Sequence, residues 1–162
     1  MKKKFLILLA LLSFELLSAY SLDINDFTIR SKNTTILITK SKNEILSLFK
    51  KDKILQNELN NSCENYIVDG VDITFLGDKV ISIILQNKKY YLSSNIKVGD
   101  KLTKVSKIYG NPDWKGELAD GNYYIDYCVM IETNSPWKEP QYTMRFIYNN
   151  NKINKIVLFY SE

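Results

Sequence analysis

Two periodicities take turns along this chain. Residues 41–49, Ser-Lys-Asn-Glu-Ile-Leu-Ser-Leu-Phe, place Ile45, Leu48 and Phe49 on one helical face. Ser41 and Glu44 stand at its start with capping-box spacing, so the hydroxyl can accept an orphan amide and the glutamate can reach back. The pattern returns at Asp100–Tyr109, with Val105, Ile108 and Tyr109 at the same offsets. Gly110-Asn111-Pro112 stops it, because glycine accepts a left-handed cap and proline cannot continue the ladder. Elsewhere the period falls to two. A lead-in strand is predicted at Phe27–Arg30, then a polar turn at Ser31-Lys32-Asn33, then Ile36–Ile38. Tyr66–Asp69 reads as a short extended piece broken by Gly70, and Val71–Leu76 pairs across Gly77-Asp78 with Val80–Leu85. A long strand runs from Tyr123 to about Glu132. Tyr142–Tyr148 then turns at Asn149-Asn150-Asn151 into Ile153–Tyr160, asparagine being tolerant of the left-handed turn conformation.

The two hairpins share a phrase. Phe75, Lys79, Ile83 and Leu85 match Phe146, Lys152, Ile156 and Leu158, the second turn being two residues longer. The helix patterns match as well, which points to a diverged internal repeat, with unit one at about 36–86 and unit two at about 96–160. The fold class expected from this is α+β: two diverged helix-plus-hairpin units sharing a mainly antiparallel sheet, with the helices packed on one face.

The start of the chain breaks both periods. Met1-Lys2-Lys3-Lys4 precedes an apolar run from Phe5 to Phe14, and small residues follow at Ser18, Ala19 and Ser21, the order of a cleavable signal peptide. Residues 1–21 are therefore read as a signal, with Ala19-Tyr20-Ser21 before Leu22 as the cleavage rule and Ala19 as the second choice. A retained anchor is the competing reading, but the run is broken by Glu15 and spanning takes about 20 apolar residues. No cysteine lies near the cleavage site to take a lipid. The expected product is one domain, 22–162, exported to a periplasmic or fully secreted location, with no membrane span after signal removal.

Loss of Lys2, Lys3, Lys4 and Glu15 lowers the formal charge from +4 to +2, too little to attract a polyanion. Arg30 and Arg145 are the only arginines, and base-edge and bidentate phosphate contacts favour arginine. No nucleic-acid partner is expected. Cys63 and Cys128 are the only cysteines. Export places them where disulfides persist, so they either close a long loop or pack as two buried thiols.

The chain has no histidine, which removes Ser-His-Asp and Cys-His catalysis and His-ligated metals. Two isolated cysteines cannot build a four-ligand zinc site, and no glycine-rich loop precedes a helix, so neither metal nor cofactor is expected. The six glycines fall at predicted turns or helix boundaries. Asp113, Glu117, Asp120 and Asp126 form the richest carboxylate set. They support either a histidine-free carboxylate enzyme or a solvated connecting loop.

Aromatic residues are more telling. In the long strand Tyr123, Ile125, Tyr127, Val129 and Ile131 share the face expected to be core, which leaves Tyr124, Asp126, Cys128 and Met130 on the other. The stretch Asn134-Ser135-Pro136-Trp137-Lys138-Glu139-Pro140 has no counterpart in unit one and holds a tryptophan between two prolines. Trp137 either tucks onto the sheet or contacts a partner. Trp137, Tyr142, Tyr124 and Met130 are the candidate partner-binding residues, since large side chains with few torsions dominate binding hot spots.

The run Ile96-Lys97-Val98-Gly99-Asp100-Lys101-Leu102 with Val105, followed by Ile108-Tyr109-Gly110-Asn111-Pro112, resembles the opening of small exported helix-plus-sheet domains. These are the outer-membrane assembly lipoproteins of the SmpA/OmlA (BamE-like) type and the β-lactamase-inhibitor proteins, which hold two such units in tandem. The lipidated N-terminal cysteine of the former is missing here. The resemblance implies a noncatalytic protein-binding scaffold whose partner is another envelope or secreted protein. Inhibition of a secreted hydrolase is the narrower alternative.

Overall fold

A computed structural model describes residues 22–50, 54–58, 63–131 and 139–160. The signal segment and Trp137 lie outside the described residues, as does the side chain of Met130. The chain opens with a single 3-10 turn at Ile24–Phe27 and forms β1 (Thr28–Arg30), β2 (Thr35–Leu37) and helix α1 (Lys42–Ser47). Four strands follow: β3 (Ile54–Glu58), β4 (Cys63–Val68), β5 (Val71–Leu76) and β6 (Lys79–Leu85). After β7 (Tyr91–Leu92) and helix α2 (Leu102–Tyr109) come β8 (Trp114–Glu117), β9 (Tyr123–Ile131), β10 (Glu139–Asn149) and β11 (Lys152–Tyr160).

Local chemistry explains most boundaries. The capping box at α1 forms, the Glu44 amide donating to Ser41 Oγ at 3.3 Å and the Ser41 amide to Glu44 Oε2 at 3.1 Å. Asp69 and Gly70, at φ 52° and 81°, make the two-residue turn between β4 and β5, and Asn150 and Asn151 do the same between β10 and β11. Gly110, at φ 76°, ends α2.

The fold class expected from the sequence needs correction. The protein is predominantly β rather than α+β with a helical layer: strands take 51% and helical turns 15% of the described residues. The helices among the described residues have six and eight residues, about 9 and 12 Å of length, and cannot cover an eight-stranded sheet about 38 Å wide. Among the described residues all pairings are antiparallel, in a three-stranded sheet of order β2-β1-β7 and an eight-stranded sheet of order β3-β4-β5-β6-β11-β10-β9-β8. The repeating element is accordingly a four-stranded meander after a short helix, not a hairpin.

The two meanders meet with their last strands side by side. At that seam Ile83 lies opposite Leu158, Leu85 opposite Ile156 and Ile84 opposite Val157. The sequence pairs Ile83/Ile156 and Leu85/Leu158 are thus exchanged across the join, which is what a local twofold relation between the two hairpins requires. That local axis passes through the Ile84–Val157 pair.

One apolar cluster holds the layers together. Ile73, Phe75, Ile83, Phe146, Ile156 and Leu158 from the large sheet are fully buried with Phe27, Ile29 and Leu92 from the small sheet and its flank, and with Ile45 and Val105 from the helices. Tyr109 of α2 reaches the same side of the sheet, its ring 5.4 Å from Tyr127 and 6.3 Å from Phe146. One face of the large sheet is therefore covered.

Candidate functional site

The other face is the more open one, although Asn65, Asp126, Cys128 and Thr143 on it are buried. Ile67, Ile84, Ile147, Val157 and Phe159 point away from the core cluster, belong to no part of it, and are partly exposed. Strand register assembles them into rows. In the central row β3 to β6 contribute Leu55, Ile67, Asp72 and Ile84 in turn. It continues across the seam from β11 to β8 as Val157, Arg145, Asp126 and Trp114. Leu55 is 63% and Trp114 47% exposed, so the row ends in bare apolar side chains at both edges.

Arg145 is the fixed point of this face. Its Nε and Nη2 donate to the two Asp126 carboxylate oxygens, both at 2.8 Å, a bidentate pair. The guanidinium carbon also lies 4.2 Å from the Tyr124 ring centre and 5.3 Å from that of Phe159. The Asp126 hydrogen bond, opposed by burial, raises the already high pKa of Arg145. The Asp126 side chain is 5% exposed and that of Arg145 29%, so the inner edge of the guanidinium is consumed while its outer side meets solvent.

Tyr124 can lie over the strand because its neighbour has no side chain. A Cβ at Gly116 would come within 2.7 Å of the Tyr124 ring, so this glycine serves close approach within β8 rather than a turn. Gly116→Ala is expected to displace the ring and cost about 1–3 kcal/mol. Thermal unfolding checks this, and an unchanged Tm would refute the tight contact.

The residues singled out from sequence separate. Tyr124 does face outward beside Arg145. Tyr142 does not: it alternates with Met144 and Phe146, packs against the core cluster, and sits 5.8 Å from the Phe27 ring and 5.2 Å from that of Tyr160. Tyr142 instead borders a cleft of about 460 Å³ at the edge of the core side, with Ser41, Glu44 and Lys79. There Lys79 Nζ stands 3.1 Å from the centre of the Tyr160 ring.

Cys63 and Cys128 do not bond to each other. Cys63 is in β4 and Cys128 in β9, with β5, β6, β11 and β10 between them, about 24 Å at ordinary strand spacing against the 7 Å limit for a disulfide. Burial pushes the Cys128 thiol up to about 11, partly offset by its contact with Thr143 at 3.4 Å, while Asp113 and Asp126 add to the rise. Alkylation of the native protein at about pH 8 is expected to spare Cys128 until the chain unfolds. Labelling of Cys128 as fast as in denaturant would contradict its burial.

Three of the four carboxylates have separate structural engagements. Asp126 holds Arg145, Asp113 accepts the Cys128 amide at 2.8 Å, and Asp120 accepts the Asn122 amide at 3.0 Å in the turn after β8. The sequence reading missed Arg145, Phe159 and Trp114. Arg145 was signalled by its place between the inward Met144 and Phe146, and Trp114 by none, because Trp-Lys-Gly-Glu shows no alternation. Compared with family models, with curated proteins and with solved structures, the chain returned no match.

Proposed function

We propose that this chain is an exported, noncatalytic binding module that engages another protein through the open face of its large sheet. The observation that carries the reading is a row crossing all eight strands in which the apolar Leu55, Ile67, Ile84, Val157 and Trp114 flank Asp72 and the Arg145–Asp126 pair. Partly exposed apolar side chains grouped around polar ones on one face are typical of interaction sites in soluble proteins. Arg145, Tyr124 and Trp114 are of the residue types that dominate hot spots. A guanidinium already stacked and paired loses little conformational freedom on contact, which favours recognition. Asp126, Asp113 and Asp120, three of the four carboxylates that an acid–base mechanism could draw on, are engaged with Arg145 and with backbone amides, which supports binding over catalysis.

Photoreactive residues placed singly at Val157 and Ile84 on the open face, with Lys107 on α2 as control, test the reading in living cells. Adducts from the first two positions and not from the third are expected. Equal adducts from all three, or none, would overturn it. N-terminal sequencing of the same material is expected to begin at Leu22, in an envelope or secreted fraction.

A further inference from the structure

The charges and shapes of the open face suit a particular partner. Asp72 lies one and a half strand spacings from the seam on β5, and Arg145 lies at the same distance on the opposite side, on β10, in the same row. Asp72 accepts one hydrogen bond, from the Asn65 amide group, and among the described residues no cation faces it. Arg145 presents the outer side of its guanidinium to solvent. One face thus carries an acidic and a basic group at mirror positions about its own midline.

We infer that a second copy of this chain docks face to face on the open sheet, about a twofold axis lying in the interface along the seam strands. This rests on the reading of the open face as a binding surface and names its occupant. Such an axis carries each position to its counterpart across the seam. Asp72 of one copy then faces Arg145 of the other, twice over, and Ile84 of each faces Val157 of the other. In the adjacent row Ser82 of each copy faces Phe159 of the other. Sheets packed face to face lie about 10 Å apart, a gap that an aspartate and an arginine together bridge.

Geometry also limits the contact. Twisted sheets stack with strands about 30° apart, which displaces facing positions by about 4 Å at Asp72 and Arg145 but by about 9 Å at the outermost strands. The interface is therefore built on the four central strands, roughly 400 Å² from each copy, half the ordinary size. A micromolar dissociation constant is expected, with Leu55 and Trp114 outside the contact.

Sedimentation of the purified protein between about 1 and 300 μM tests this. A reversible monomer–dimer equilibrium is expected. It should weaken about tenfold or more in Asp72→Lys, weaken less in Asp72→Asn, and weaken with added salt, since apposed charges rather than apolar contact alone select the pairing. Val157→Glu, beside the axis, provides an independent variant should Asp72→Lys unfold, and circular dichroism checks the fold of each. A monomer at every concentration overturns the inference, and so does a dimer indifferent to both variants. If the chain is monomeric while Val157 still crosslinks to a different protein in cells, the second copy is wrong and the binding face stands. If both measurements are negative, both readings fall.

Discussion

Arg145→Ala is expected to destabilise the protein by about 3 kcal/mol, read as a shift in the urea midpoint with little change in slope. The substitution leaves the Asp126 carboxylate, 5% exposed, without its bidentate partner and without the cation that neutralises it. Breaking a buried pair from one side costs about 3–5 kcal/mol, and water reaching in from the open face holds this case at the low end. Two further variants separate charge from packing. Arg145→Lys keeps the charge but cannot make the planar two-point contact or stack between rings as guanidinium does, so it should fall between wild type and alanine. Replacing both partners, Arg145→Met with Asp126→Leu, should recover stability to within about 1 kcal/mol of wild type, since no charge is then left buried. A loss below about 1 kcal/mol in Arg145→Ala would mean the pair behaves as an exposed one.

Tyr142→Ala and Trp114→Ala should part company. Tyr142 packs against the core with ring contacts to Phe27 and Tyr160, and its truncation is expected to cost about 2–3 kcal/mol. Trp114 is 47% exposed on an edge strand, and its truncation should leave stability within about 0.5 kcal/mol. Neither side chain lies in the proposed face-to-face contact. Trp114→Ala should therefore leave self-association unchanged, and Tyr142→Ala should reduce it only through unfolding. Stability measured beside self-association distinguishes the two, and an equal stability loss in both variants would sink the division into core and open faces.

That division was partly legible beforehand. The alternation in β9 puts Ile125 and Tyr127 in the core and leaves Tyr124, Asp126 and Cys128 outward, and applied to β10 the same rule groups Tyr142 with Met144 and Phe146. The pairing of Arg145 with Asp126 was not legible, because it depends on a register set by a bulge between Pro140 and Tyr142. The helices were placed correctly, but their signatures say nothing of how much sheet they would have to cover. Three strands escaped notice for another reason. Tyr91–Leu92 is too short for a period, and Ile54–Glu58 and Trp114–Glu117 hold few apolar residues because strands at a sheet margin draw their order from a single neighbour.

The strand order has one more effect, on growth of the sheet itself. Because the final strands of the two meanders meet in the middle, both outer margins are formed by the opening strand of each, of five and four residues. They flank a sheet whose longest strands have nine and eleven. Any chain trying to continue the ladder therefore finds a stub at either end, and on one of them the charged residues Lys115 and Glu117. Short, charged margins discourage cross-β stacking. A protein can then keep an apolar sheet surface bare for a partner without inviting fibrillar polymerisation through its rims.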